Sequence, residues 1–310
     1  MGTRTWTFLP FAAMFFVSWR APARGQEQAG AAVFQIEPDA RTNAMGKAGT
    51  ASTTDGGALW WNPSAIALSD DYQVQFTHSN LVPGVPDNIF FGSAAALFPI
   101  PHFGSIGASF SYITYPDFPD SYELAPGFSV AASITPTLAI GGTVKVAHVS
   151  YAEWYSGTTV AFDAGVRWTR SPVALGFCAQ ALGPDIMMYS DRPDTPDQSA
   201  PLPRALRAGI TYQAWNQDSH SLLAALDFNK PMVAVDDGPI LNAGIEYSFR
   251  QLAFARVGWV YEGWYSELDP IDGAAAGLGV SWNGLFFDYA TIPTAPSLDR
   301  VSRFTLGFRF

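Results

Sequence analysis

The last nine residues of the chain alternate without interruption: Phe304, Leu306, Phe308 and Phe310 fall on one face, and Arg303, Thr305, Gly307 and Arg309 on the other. A two-residue period is that of a β-strand, whose successive side chains point to opposite sides. From Tyr72 onward the same period returns in segment after segment. Val160, Phe162, Ala164, Val166 and Trp168 oppose Thr159, Asp163 and Arg167. Leu241, Ala243, Ile245, Tyr247 and Phe249 oppose Asn242, Glu246 and Ser248. Equivalent patterns occupy 204–213 and 219–229.

Extended to the whole chain, this reading predicts fourteen strands: 72–79, 88–98, 103–115, 125–134, 138–149, 158–168, 173–182, 204–213, 219–229, 240–249, 252–261, 273–282, 285–291 and 302–310. The connections sort into two classes that alternate. Short ones fall at 99–102, 135–137, 169–172, 214–218, 250–251 and 283–284, the last an Asn-Gly hairpin turn. Long ones fall at 80–87, 116–124, 150–157, 183–203, 230–239, 262–272 and 292–301. An even number of antiparallel strands, joined by short turns at one end and longer loops at the other, is the pattern of an outer-membrane barrel.

Composition supports a membrane setting. Only 14% of residues are charged and 15% are aromatic, against about 25% charged in soluble domains. Mean hydropathy is nevertheless +0.08, and after the first twenty residues no apolar run approaches the ~18 that a membrane helix needs. A spanning chain of this kind must cross with strands, since only helices and closed barrels satisfy every backbone group in lipid. Residues 1–23 read as a secretory signal: Arg4 supplies the positive charge, Trp6 to Trp19 the apolar stretch and Ala21-Pro22-Ala23 the cleavage site, with a cut after Gly25 as the alternative. The expected organisation is signal peptide 1–23, an N-terminal periplasmic or plug segment 24–71, and a barrel 72–310 in the cell outer membrane, with outer-membrane lipid around it.

Strand alternation also sorts the charges. Lys145, Asp163, Arg167, Arg207, Asp227, Glu246, Arg256, Asp288, Arg303 and Arg309 lie opposite the apolar stripes. They are expected to face the lumen, because an Arg or Lys on the lipid face costs about 2–4 kcal/mol at midplane. Mixed signs point to paired, structural charges and away from an ion-selecting ring. Tyr72, Trp168, Tyr212, Trp259, Tyr261 and Trp282, near strand ends, suit the aromatic girdles at the two interfaces. Residues 34–68 show no strand alternation, are rich in glycine and small residues, and suit a plug.

Other chemistries find little footing. The formal net charge of −10 argues against a nucleic-acid partner, which needs a clustered basic face. The histidines His78, His102, His148 and His220 show no metal-binding spacing, so neither metal nor cofactor is expected. His148 beside Ser150 lacks a nucleophile elbow, and no catalytic residue or enzyme activity is assigned. The single cysteine, Cys178, reads as a small buried or lipid-facing hydrophobe.

Two stretches resemble a known family. Arg41 to Ala51, followed by Trp61-Asn62-Pro63-Ser64-Ala65, is similar to the N-terminal signature of the PorV/PorQ proteins, which belong with the FadL-like fatty-acid transporters. The ending from Phe287 to Phe310 is similar too, with Ser64 departing from the alanine that commonly follows Asn-Pro. The resemblance implies a fourteen-stranded FadL-like barrel with Met45, Gly46, Gly49, Asn62 and Pro63 folded at or in its periplasmic mouth. It also implies an accessory role in type IX protein secretion, with secreted cargo or other secretion-system proteins as partners at the outer face. The alternative is a FadL-like passive transporter of hydrophobic small molecules. The last strand resembles the signal read by the barrel-assembly machinery, with Phe310 first and Phe308 second in importance. Loop 183–203, the longest connection, is the expected partner-binding element through the apolar cluster Ile186, Met187, Met188 and Tyr189.

Overall fold

The computed structural model describes residues 29–83, 89–116, 120–151, 155–193, 196–233, 238–261, 273–292 and 300–310. The signal peptide expected at 1–23 lies outside the described residues. Two short helices, α1 (Ala40–Ala44) and α2 (Ala58–Trp61), precede the strands. These are β1 (Gln73–Asn80), β2 (Phe90–Ile100), β3 (Gly104–Thr114), β4 (Tyr122–Thr135), β5 (Leu138–Tyr151), β6 (Tyr155–Arg170), β7 (Val173–Leu182), β8 (Ile186–Ser190) and β9 (Gln198–Ala200). The remainder are β10 (Ala205–Gln217), β11 (His220–Pro231), β12 (Ile240–Phe249), β13 (Ala253–Tyr261), β14 (Ala274–Trp282), β15 (Leu285–Ile292) and β16 (Val301–Arg309).

All strands except β8 and β9 form one closed antiparallel barrel of fourteen. Closure runs through β1 and β16, from Gln73 opposite Arg309 to Ser79 opposite Arg303. The fourteen strands read from sequence are therefore the wall, and alternation placed their faces correctly. Outward stand Phe76, Leu226, Ile245, Leu278, Phe304 and Leu306, all exposed where lipid would cover them, while Gln75, Asp227, Glu246 and Thr305 are buried inside. Of the charges expected in the lumen, all but Arg309 are buried; Arg309 is partly covered at the short-turn end.

The longest connection departs from expectation. Rather than a loop, 183–203 contains the hairpin β8–β9, with Ile186 opposite Ala200 and Met188 opposite Gln198. Strand β6 outruns β7, and its end takes β8 as partner, Tyr155 opposite Ser190 and Gly157 opposite Met188. Near the end of the β6–β7 pairing the register slips at Phe162/Ala164. There Ala181 adopts a φ of 54° and gives its N–H to the Asp163 carboxylate at 2.7 Å, a β-bulge that bends the wall. Prolines disguised the hairpin because they exclude a strand interior, yet Pro184, Pro193, Pro196, Pro201 and Pro203 flank β8 and β9 without entering them. The long connection expected at 150–157 shrinks to 152–154, since β5 and β6 climb with the hairpin.

The core of the molecule is the lumen, and residues 29–72 fill it. Gly30 donates its N–H to the Pro201 carbonyl at 2.9 Å, beside the hairpin at the long-loop end. From there the chain crosses the barrel to Tyr72, which exchanges backbone hydrogen bonds with Phe310 at the short-turn end.

Candidate functional site

The plug is held to opposite walls at two places, and the sequence-derived motif residues divide between them. Met45 and Gly46 press against β12 and β13. Gly46 takes a φ of 63°, a conformation that glycine adopts most readily, and a Cβ on Gly258 would lie 1.9 Å from the Gly46 nitrogen. Asn62 and Pro63 press against β5 to β7. Asn62 caps the 3-10 turn Pro63–Leu68, accepting from the Ser64 N–H at 3.2 Å, and donates to the Thr50 carbonyl at 3.0 Å and the Val166 carbonyl at 3.2 Å. Gly141 and Gly165 on the wall clear space for Pro63 and Asn62. Gly49 joins the two sides, packed on the Trp61 ring. The plug runs the length of the lumen, and Met45, Gly46, Asn62 and Pro63 are its bearings in the half of the barrel nearer the short turns, with Gly49 packed between them.

Charges finish the attachment. Arg41 meets Glu246 at 2.8 Å, Glu246 meets Arg256 at 2.6 Å, and Arg256 meets Asp288 at 2.5 Å. Lys47 pairs with Glu37 at 3.2 Å, and Arg303 donates to the Glu37 carbonyl. Thr50 N–H donates to Asp227 at 2.7 Å. At the long-loop end the fully buried Glu123 accepts from Val33 N–H at 2.9 Å and from the hydroxyls of Tyr115 and Tyr151 at 2.8 and 2.5 Å. Within the plug, burial opposes the Arg41 charge, but Glu246 overrides it and holds the guanidinium above its ordinary pKa. Burial likewise opposes ionisation of Glu37, yet Lys47 and Arg303 hold its carboxyl below the usual range. Burial, reinforced by the neighbouring Asp55, pushes Asp39 up despite hydrogen bonds from Thr42 and Trp61.

Sequence reading missed Glu37, Asp39, Arg41 and Trp60 as plug contacts. The available signal was their charge: a segment of small residues carrying both signs, beside a wall expected to carry both signs inward. Arg207 stacks on Trp60 and Trp61, 4.7 and 5.0 Å from the ring centroids, a pairing that strand periodicity does not reveal.

Between the plug and strands β1 to β5 lies a cavity of about 30 Å³, lined by Val33, Phe34, Leu59, Trp60, Ser93 and Lys145 among others. That is room for water and too little for benzene, which occupied an apolar cavity of about 150 Å³ elsewhere.

The expected loop cluster does not form one patch. Ile186 is fully buried against Gly30, Met187 and Tyr189 are exposed, and Met188 is half-buried, because strand alternation sends neighbours to opposite faces. His148 and Ser150 do not pair: His148 meets the Thr158 hydroxyl at 2.9 Å, and Ser150 donates to the Asp120 carbonyl. Cys178 is buried and points inward between strands. Tyr72, Tyr212, Trp259, Tyr261 and Trp282 are exposed on the outer surface, as girdle positions require. Phe308 and Phe310 stack outward, 5.8 Å between centroids.

Fold and lumen together define a transmembrane β-barrel of outer-membrane type, plugged by its own N-terminal segment. No family model and no curated protein matches the chain. Among solved structures it is similar in fold to the Ralstonia pickettii toluene transporter TbuX, at 13% identity over 89% of this chain and 99% of that one, with a TM-score of 0.56. The CymD monoaromatic hydrocarbon channel aligns at 10% identity over 88% and 96%, TM-score 0.59. A Pseudomonas aeruginosa FadL homologue aligns at 13% over 93% and 99%, TM-score 0.54. The chain has the FadL-type fold.

Proposed function

We propose that this protein is a passive outer-membrane channel for hydrophobic small molecules, exported through the segment 1–23 and gated by residues 29–72. The observation that carries the reading is the plugged lumen with a cavity of mixed apolar and polar lining against β1 to β5, in a barrel that overlays almost whole on a toluene transporter and a monoaromatic hydrocarbon channel. Solute moves down its own gradient, and because the cavity of about 30 Å³ is too small for an aromatic ring, passage requires the plug to shift. No residue is assigned a catalytic role.

The test is uptake of labelled toluene by cells that carry the chain in a porin-deficient outer membrane. Faster uptake than in cells with an empty vector supports the channel; equal uptake, with folded barrel present, overturns it. The secretion role implied by resemblance to PorV/PorQ proteins draws no support from these neighbours, and co-purification of secreted cargo with the barrel would revive it.

A further inference from the structure

The cavity between plug and wall contains a single ionisable side chain, Lys145, and the structure shows what neutralises it. Its Nζ lies 2.8 Å from Asp163 Oδ2, with the two side chains 9% and 0% exposed, and 4.7 Å from the centroid of the Phe34 ring. Asp163 is fixed in turn, because its Oδ1 accepts the Ala181 N–H at the bulge, 2.7 Å away. The ammonium is thus bracketed by a carboxylate and a ring face, and the remaining lining is apolar or neutral.

We infer that Asp163 is a specificity-determining residue that keeps this cavity electrically neutral, so that the channel passes uncharged hydrophobic solutes and rejects those bearing a carboxylate. This rests on the channel reading above. A buried carboxylate needs an unbalanced cation to offset its charge, and the charge of Lys145 is already balanced by Asp163. Other lumenal cations away from this cavity have partners of their own, although the buried Nε of Arg303 has no hydrogen-bond partner among the described residues. Arg41 and Arg256 serve Glu246 and Asp288. Arg207 is covered by Trp60 and Trp61, and Arg167 by the Thr53 carbonyl and the Thr169 hydroxyl.

The experiment compares uptake of toluene and benzoate at neutral pH by the full chain in a porin-deficient outer membrane. The wild type is expected to take up toluene and to leave benzoate at the empty-vector level. Asp163→Asn keeps the acceptor for Ala181 N–H but releases Lys145; benzoate uptake is expected to rise by about an order of magnitude, with toluene unchanged. Lys145→Met leaves the carboxylate alone, and is expected to raise uptake of benzylammonium while benzoate stays low. Heat-modifiable migration of each variant reports that the barrel is intact, and either variant that inserts suffices. Wild-type benzoate uptake equal to that of toluene overturns the inference, as does an inserted Asp163→Asn that leaves benzoate at background. Failure of the wild type to take up either solute overturns the channel reading instead.

Discussion

Arg41 in the plug grips Glu246 on β12 through both carboxylate oxygens, Nε to Oε2 at 2.8 Å and Nη2 to Oε1 at 2.9 Å. The same carboxylate accepts from Arg256 Nε at 2.6 Å. Glu246 is therefore the joint between a mobile element of the proposed channel and its wall, and removing it strands the Arg41 guanidinium and leaves Arg256 with Asp288 alone. Breaking a buried pair from one side costs about 3–5 kcal/mol, whereas the ladder hydrogen bonds of the barrel are untouched. Glu246→Gln is expected to preserve heat-modifiable migration, make residues 29–72 sensitive to protease and raise toluene uptake. Arg41→Gln is expected to act in the same direction but less, because Glu246 keeps Arg256. Equal protease resistance in both variants and the wild type would show that the ion pair does not hold the plug.

Gly258 tests the second attachment without touching a charge. An added Cβ would sit 1.9 Å from the Gly46 nitrogen and 2.1 Å from the Met45 carbonyl carbon, both backbone atoms. Overpacking of this kind typically costs about 1–3 kcal/mol. The outward neighbours Val257 and Trp259 are unaffected, so the wall is expected to assemble. Gly258→Ala should loosen the plug, read as greater protease access near Met45, while the amount of inserted barrel stays within the wild-type range. Loss of insertion would mean that the plug guides barrel folding.

The wall was legible in the sequence because a membrane strand faces two solvents, and residues such as Phe304 and Arg303 record which is which. The ten lumen charges followed from the same rule. The plug's path was not legible. Its helices α1 and α2 are five and four residues long, too short for periodicity, and Arg41 finds Glu246 across 205 positions of chain. Nothing local distinguishes that acid from any other inward residue. Only the structure shows that Met45 and Gly46 fill the space that Gly244 and Gly258 leave on the wall.

Phe310 carries the proposed assembly signal. Its backbone pairs with Tyr72 at 3.0 and 3.2 Å, and its ring stacks on Tyr72 at 5.7 Å, which ties the end of the barrel to its beginning. Deleting Phe310 removes this closing contact together with the terminal aromatic. Inserted barrel in the outer membrane, measured by heat-modifiable migration, is expected to fall while export to the periplasm continues. Phe308→Ala is expected to have the smaller effect. Undiminished insertion after the deletion would remove Phe310 from the assembly signal.

The hairpin β8–β9 decides where the outer end of the plug is held. Ile186 is fully buried, a Cβ on Gly30 would lie 2.6 Å from its Cγ2, and Gly30 donates to the Pro201 carbonyl just beyond β9. Leu202 continues the contact into a buried cluster with Ala31, Val33 and Phe34. Replacing residues 186–200 by a short Gly-Ser turn removes Ile186, whose burial is worth about 1.5–3 kcal/mol, and frees the end of β6 at Tyr155 to Gly157. Glu123 still accepts the Val33 N–H, so the loosening should be confined to the residues before Val33. If the channel reading is right, the shortened protein inserts normally, shows new protease cleavage near Gly30, and takes up toluene faster. If instead the hairpin serves a secretion partner through the exposed Met187 and Tyr189, uptake stays at the wild-type rate and co-purifying protein is lost. Normal insertion with unchanged uptake, unchanged partners and full protection of Gly30 would deprive the hairpin of either role.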